Sequence, residues 1–138
     1  MKIEYLLDTN VVCELTRREP EPSVLRRLRA AWPVASISAI SWHEIQYGLL
    51  RIPEGSRRDE IQGFVSRLAG MPVLPYAERP AMVHARARAA LEQAGLPMGY
   101  ADAQVASTAV AHGLTLVTRN TRHFRHFPGL RMENWFPA

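Results

Sequence analysis

Cysteine is nearly absent: Cys13 stands alone in 138 residues. A single thiol excludes an intramolecular disulfide and fits a reducing compartment, so the cytoplasm is the expected location. Cys13 itself reads as a small buried thiol. No apolar run approaches the roughly 20 residues that span a bilayer, and no membrane partner is expected. The first residues lack the charged-then-apolar layout of a signal peptide, because Asp8 and Glu14 interrupt them. Lysine is as scarce as cysteine. Among 17 basic residues only Lys2 is a lysine and the rest are arginines, so chemistry that needs a lysine on a later strand is excluded. Aspartate is confined to Asp8, Asp59 and Asp102. Repeats, low-complexity linkers and signs of a second domain are also missing. Residues 1–138 are therefore expected to form one domain, long enough to bury a core.

What remains is an ordinary soluble composition, 47% hydrophobic and 22% charged, with a net charge of +4. That balance leans towards a polyanionic partner. Arginine in particular suits bidentate phosphate contacts, although a biased composition would give the same skew.

The chain alternates short apolar runs with longer amphipathic ones. Strands are expected at Ile3–Leu7, Val34–Ile37, Val73–Leu74, Leu114–Thr118 and, at an edge, Leu130–Trp135. Helices are expected over Val11–Arg18, Ser23–Trp32, Ser38–Ile52, Glu54–Gly70, Ala77–Gly95 and Tyr100–His112, closed by the prolines and glycines that follow them. Arg119–Gly129 reads as a loop. Strands alternating with helices imply a parallel sheet wrapped on both faces.

Three acids are placed where such a sheet could gather them. The run Ile3-Glu-Tyr-Leu-Leu-Asp-Thr-Asn10 is a buried strand that ends abruptly in polar groups. It delivers Asp8 to the crevice outside the carboxyl ends of the strands, where ligands bind in open parallel sheets. A turn-forming aspartate is the alternative. In the Ser38–Ile52 helix, Trp42, Ile45, Leu49 and Ile52 make the core stripe. Glu44 lies on a neighbouring stripe with Ser41 and Gly48, whose small side chains leave its carboxylate uncovered. The competing reading is a solvated surface glutamate. Asp102 begins a stripe continued by Val105, Ala106 and Ala109, and an aspartate in a first turn also serves as a helix cap. A fourth stretch, Leu114-Thr-Leu-Val-Thr-Arg-Asn-Thr-Arg-His-Phe124, emerges from a strand into Thr118, Asn120 and His123. If its strand neighbours strand one, both ends share a crevice whose lip carries Arg119, Arg122 and Arg125.

Together, Leu7-Asp-Thr-Asn-Val11, the Ser38–Gly48 segment around Glu44, the Gly99–Ser107 segment around Asp102, and Thr118-Arg-Asn120 with Phe124 resemble the PIN-domain nucleases. The likeness is to the VapC toxins of bacterial toxin–antitoxin modules and runs from Ile3 almost to the C-terminus. It implies a three-layer α/β/α sandwich with a mainly parallel central sheet, a divalent metal (Mg2+, with Mn2+ as the alternative) and endoribonuclease activity. It further implies RNA as substrate, a homodimer, and a cognate antitoxin whose C-terminal segment covers the acidic site. By position, Asp8, Glu44 and Asp102 become the catalytic, metal-binding acids. Asn10, Thr118, Asn120, His123, Arg119 and Arg122 become supporting or substrate-contacting groups. On this reading Asp8 and Asp102 ligate metal, while Glu44 ligates it or orients the attacking water.

One position departs from the pattern. The residue before the Phe of the last motif is usually acidic in the family, and here it is His123. Magnesium prefers oxygen ligands and imidazole suits manganese better, so single-metal catalysis, a manganese preference and an attenuated enzyme all stay open. So does a plain loop histidine. Zinc at His123 and His126 lacks a second ligand pair. Receiver domains and dehalogenase-type phosphatases also place an acid after strand one, but each needs a lysine at the far end of a later strand. Lys2 lies at the opposite end. A PIN-fold interaction module that binds antitoxin or RNA without efficient cleavage is the remaining rival, and metal-dependent turnover of RNA separates the two.

Overall fold

The computed structural model describes residues 2–138. Its centre is a five-stranded, all-parallel sheet built from β1 (Tyr5–Leu7), β2 (Ala35–Ser38), β3 (Val73–Leu74), β4 (Thr115–Val117) and β5 (Arg131–Glu133), in the order β3-β2-β1-β4-β5. The first strand sits in the middle, with Leu7 level with Ile37 on one side and Val117 on the other. The chain winds outward from β1 to β3, then crosses back to β4. The gap after β1 and β4 is thus the topological switch point, the usual ligand position in such sheets.

The helices are α1 (Thr9–Val12), α2 (Pro22–Ala31), α3 (Ala39–Leu50), α4 (Ser56–Arg67), α5 (Glu78–Gln93), α6 (Tyr100–Ala111) and α7 (Thr121–Phe124). Alternation along the strands sorts them into two layers, because successive strand side chains face opposite ways. Leu7, Ile37 and Val117 point into a core closed by Val24 and Leu28 of α2, Ile45 and Leu49 of α3, and Ile61 and Val65 of α4. Leu6 and Leu116 point the other way, against Ala87 and Leu91 of α5 and Ala103, Ala106 and Ala109 of α6. The result is the expected three-layer α/β/α sandwich. Among the described residues no helix is long and apolar enough to cross a membrane.

Local signals fix the ends that matter for the site. The Ser38 hydroxyl accepts the Ser41 N–H at 3.0 Å and caps α3. At the end of α6, Gly113 adopts φ +66°. Its N–H reaches Val110 O, and Leu114 N–H reaches Ala109 O at 2.9 Å. This Schellman closure turns the chain straight into β4, and the left-handed conformation favours glycine.

Several expectations need correction. The stretch 119–129 is not wholly loop: α7 forms one turn within it and buries Phe124 completely. The Val11–Arg18 helix is split, with α1 followed by a 3-10 turn over Cys13–Thr16. Ser41 does not share an uncovered stripe with Glu44, since it lies fully buried in the first turn of α3 with its N–H capped by Ser38, while Trp42 on the expected core stripe is only partly covered. Cys13 is half-buried rather than buried. Glu14, read in the sequence only as a charge that interrupts a signal-peptide layout, is buried. It accepts the Glu21 N–H at 2.7 Å and pairs with Arg17 at 3.4 Å, holding the loop that leads into α2.

Candidate active site

Asp8 leaves the end of β1 and caps α1. Its Oδ1 accepts the Thr9 N–H at 2.9 Å and its Oδ2 accepts the Thr118 hydroxyl at 2.8 Å. Thr118, fully buried at the end of β4, also accepts the Asn120 N–H at 3.0 Å, so its hydroxyl proton is committed to Asp8. Neighbouring strand ends therefore meet, as the switch point requires, and Asp8 N–H bonds Val117 O at 2.9 Å.

The other two acids approach from helices, near enough for their charges to act on Asp8. Glu44, exposed on α3, accepts the Thr9 hydroxyl at 3.0 Å. Asp102 stands half-buried in the first turn of α6, where its charge complements the helix dipole, but no side chain caps the helix, so it is not a cap. Burial pushes the Asp8 carboxyl above the ordinary carboxylate range. The Thr118 and Thr9 hydrogen bonds oppose that rise, and the negative charges of Asp102 and Glu44 add to it. Burial, then the charges of Glu44 and Asp8, also push the neighbouring Cys13 thiol up. Among the described residues none of the ion pairs involves Asp8, Glu44 or Asp102.

A divalent cation would offset this repulsion among the carboxylates. Each Asp8 oxygen accepts one hydrogen bond and so keeps a lone pair for a ligand. The donors are all oxygen, which suits a hard ion. Among the described residues no three His, Cys, Asp or Glu side chains close on a single point. That rules out a ready-made zinc cage of protein ligands. It fits magnesium-like ions, which bind through one or two carboxylates and retain waters or substrate phosphate as the remaining ligands.

The model of the PIN domain family matches residues 5–130. The chain belongs to the PIN-domain family. Within it the resemblance is to VapC proteins. VapC ribonuclease Y4jK of Sinorhizobium fredii is 36% identical over 139 residues, spanning 96% of this chain and 99% of that protein. The tRNA(fMet)-specific endonuclease VapC of Shigella flexneri is 36% identical over 135 residues, spanning 96% and 98%. Among solved structures, DNA-bound VapBC from Salmonella typhimurium superposes with a TM-score of 0.83 at 31% identity, covering 96% of this chain and 98% of that one.

In this PIN domain the supporting residues divide into two groups. Thr118 holds Asp8 directly, and the Asn10 carboxamide accepts the Arg119 N–H at 3.4 Å. The Arg119 guanidinium lies 4.6 Å from the Phe136 ring centre, clear of the acids. Asn120 is exposed at the start of α7 and its side chain makes no capping bond. Arg122 and His123 line a cavity of about 320 Å³ together with Asp102, His126 and the Leu96–Gly99 loop. His123 therefore faces the same space as Asp102 rather than lying apart from the site. Thr9 was missed as an individual contributor, although it stood in the polar end of the first strand: its N–H and hydroxyl join Asp8 to Glu44.

Proposed function

We propose that this chain is a metal-dependent endoribonuclease that hydrolyses RNA phosphodiester bonds and acts as the toxin of a toxin–antitoxin module. The observation that carries the reading is that the charges of Glu44 and Asp102 act on Asp8 beside the switch point of the sheet, with none of the three in an ion pair among the described residues, in a chain of net charge +4. The full-length similarity to VapC ribonucleases supports it.

Asp8 and Asp102 would hold a divalent cation, Mg2+ or Mn2+, with Glu44 as a further ligand or as the acceptor that orients water. Bound there, the ion supplies activation of a water for attack on phosphorus and stabilisation of charge on the phosphate and leaving oxygen. The protein's own contribution is orientation. Thr118 and the Thr9 N–H fix both oxygens of Asp8, and such supporting bonds commonly tune metal affinity. Thr9 positions Glu44 through its hydroxyl. Arg122 and His126, at the rim of the Asp102 cavity, meet the RNA backbone, a contact that weakens with salt.

An apolar groove of about 220 Å³, lined by Val12, Leu15, Ile45, Leu49, Ile61 and Phe64, opens beside Glu44. It suits an apolar segment of a cognate antitoxin that would cover the acids. The VapBC name of the Salmonella typhimurium structure supports such a partner. Exposed Tyr47 and Leu50 on α3 offer surface for a second copy in a homodimer.

The test is cleavage of RNA by the purified chain with chelator, magnesium or manganese. Turnover only with metal supports the reading. Binding without turnover under every condition would refute it and favour the interaction-module alternative, for which His123 in place of the family carboxylate is the one supporting observation.

A further inference from the structure

Tyr100 opens α6 two residues before Asp102, and 58% of its surface is exposed. Isolated exposed aromatics are common and need no explanation. This one is mounted. Its ring meets His84 edge-on, with centroids 4.9 Å apart and planes at 64°. His84 is only 4% exposed and is pinned in turn by Tyr76, whose hydroxyl lies 2.6 Å from His84 Nδ1. A buried histidine fixed at a second point is a stiff support, so the exposed ring loses little freedom on meeting a ligand.

Beside the ring lies a cavity of about 240 Å³ that nothing above uses. Leu91, Met98 and Ala103 give it an apolar lining, and Arg88 and Glu92 give it a charged rim. Arg88 Nε donates to Glu92 Oε1 at 3.0 Å, and its guanidinium lies over the Tyr100 ring, 5.7 Å from the ring centre. The pair is more than half exposed at both ends, leaving guanidinium donors and a carboxylate oxygen available. Pro97 and Met98 line this cavity and also the one that holds Asp102, Arg122, His123 and His126. The two spaces are therefore neighbours across one short loop.

We infer that Tyr100 is a stacking platform for an unpaired nucleobase of the RNA, with Arg88 and Glu92 reading the edge of that base. The inference rests on the ribonuclease reading above. With a phosphate held beside Asp102 through a cation, a neighbouring base would reach Tyr100 across the Pro97–Met98 loop that lines both cavities. Stacking on an aromatic needs a base free of its helix, because duplex RNA offers proteins its backbone and groove rather than its base faces. Tyr100 acts as a specificity-determining residue and the Tyr76–His84 pair as its positioning support.

The experiment measures binding, in the uncleaving Asp8→Asn background with magnesium, by fluorescence anisotropy. One labelled single-stranded oligoribonucleotide is compared with a chain of the same length that is abasic throughout. Tyr100→Leu should weaken binding of the base-bearing chain by about 5- to 150-fold, the loss that one base–aromatic stack represents. Binding of the abasic chain should not change, and Tyr100→Phe should behave as Tyr100 does. Equal affinity for both chains with Tyr100 intact would overturn the base site and leave RNA binding standing. So would an equal loss for both in Tyr100→Leu, which would mark a structural role. A change of oligomeric mass in Tyr100→Leu with both affinities unaltered would assign the face to a second copy instead, and overturn the inference. No binding of either chain would overturn it together with the ribonuclease reading.

Discussion

Thr118→Val tests the construction of the site more directly than any change to an acid. The substitution keeps shape and volume and deletes one hydroxyl, which is fully buried, donates to Asp8 at 2.8 Å and accepts from the Asn120 N–H at 3.0 Å. Asn120 is exposed, so water can replace its lost acceptor, and the main loss falls on Asp8. A hydrogen bond to a charged group contributes about 1.5–3 kcal/mol to stability, and that range is the expected neutral-pH loss, read from urea unfolding of the metal-free protein. The sign follows from the direction of the bond. Donation to the carboxylate favours its ionised form, so this stabilisation is present where Asp8 is ionised and fades as acid protonates it. The gap between Thr118→Val and wild type should therefore narrow on acidification. For metal, loss of a supporting partner commonly costs about 10–100-fold in affinity or activity. The same factor should appear in manganese binding by calorimetry and in RNA cleavage, with Thr118→Ser restoring both. Wild-type metal affinity and cleavage in folded Thr118→Val would refute the claim that the hydroxyl orients Asp8.

Asp8→Asn and Asp102→Asn should each reduce RNA cleavage by at least about 100-fold, since each removes a metal-binding charge; wild-type-like turnover by either would remove it from the site. Burial and neighbouring acids raise the folded carboxyl of Asp8 above its ordinary 3.8. Ionised Asp8 thus disfavours the metal-free fold at neutral pH, and Asp8→Asn should melt higher there, the advantage vanishing below pH 3.8 where both forms are uncharged. Glu44 is exposed and held by Thr9, so Glu44→Gln should leave thermal stability unchanged and lower cleavage; a silent variant would return Glu44 to the solvated surface. His123→Asp should raise magnesium-supported cleavage and reduce any manganese preference, because a hard anionic oxygen favours magnesium. Superimposable metal titrations for wild type, His123→Asp and His123→Ala would dismiss position 123 from the mechanism.

The parts of the fold that could be read from the chain are those with a period. The apolar strands, the helices stopped by proline or glycine and the parallel order all follow from local pattern. The sandwich then follows from the need to cover both faces of the sheet. What could not be read depends on contacts distant in sequence. Glu14 looks like an ordinary helix acid, and only the return of the chain at Glu21 gives it a buried partner. Likewise Ser41 is small and polar at a position where a helical wheel allows either face, and it lies fully buried with its N–H capped by Ser38. In the candidate site the three acids were legible as strand-end and helix-face carboxylates. Their threonine linkers were less so, because a hydroxyl gains its meaning from a partner 110 residues away in Asp8–Thr118, or 35 in Thr9–Glu44.

The division of the charges explains why threonines, and not arginines, occupy those linking positions. All four ion pairs among the described residues take glutamates other than Glu44: Arg17 with Glu14, Arg27 with Glu133, Arg57 with Glu60 and Arg88 with Glu92. Arg119, next to Thr118, lies over Phe136. An arginine turned onto Asp8 would orient it equally well, but it would also neutralise it and take the place a divalent ion needs. Hydroxyl and backbone N–H donors orient a carboxylate while leaving its charge uncompensated. The carboxylates of this crevice thereby keep an uncompensated charge, which contributes to the rise at Asp8. Arg122, which lines the cavity beside Asp102 and has no ion pair among the described residues, is placed where a phosphate backbone would meet it. Replacing Thr118 by a cationic side chain would satisfy Asp8 and, on this reasoning, abolish the site.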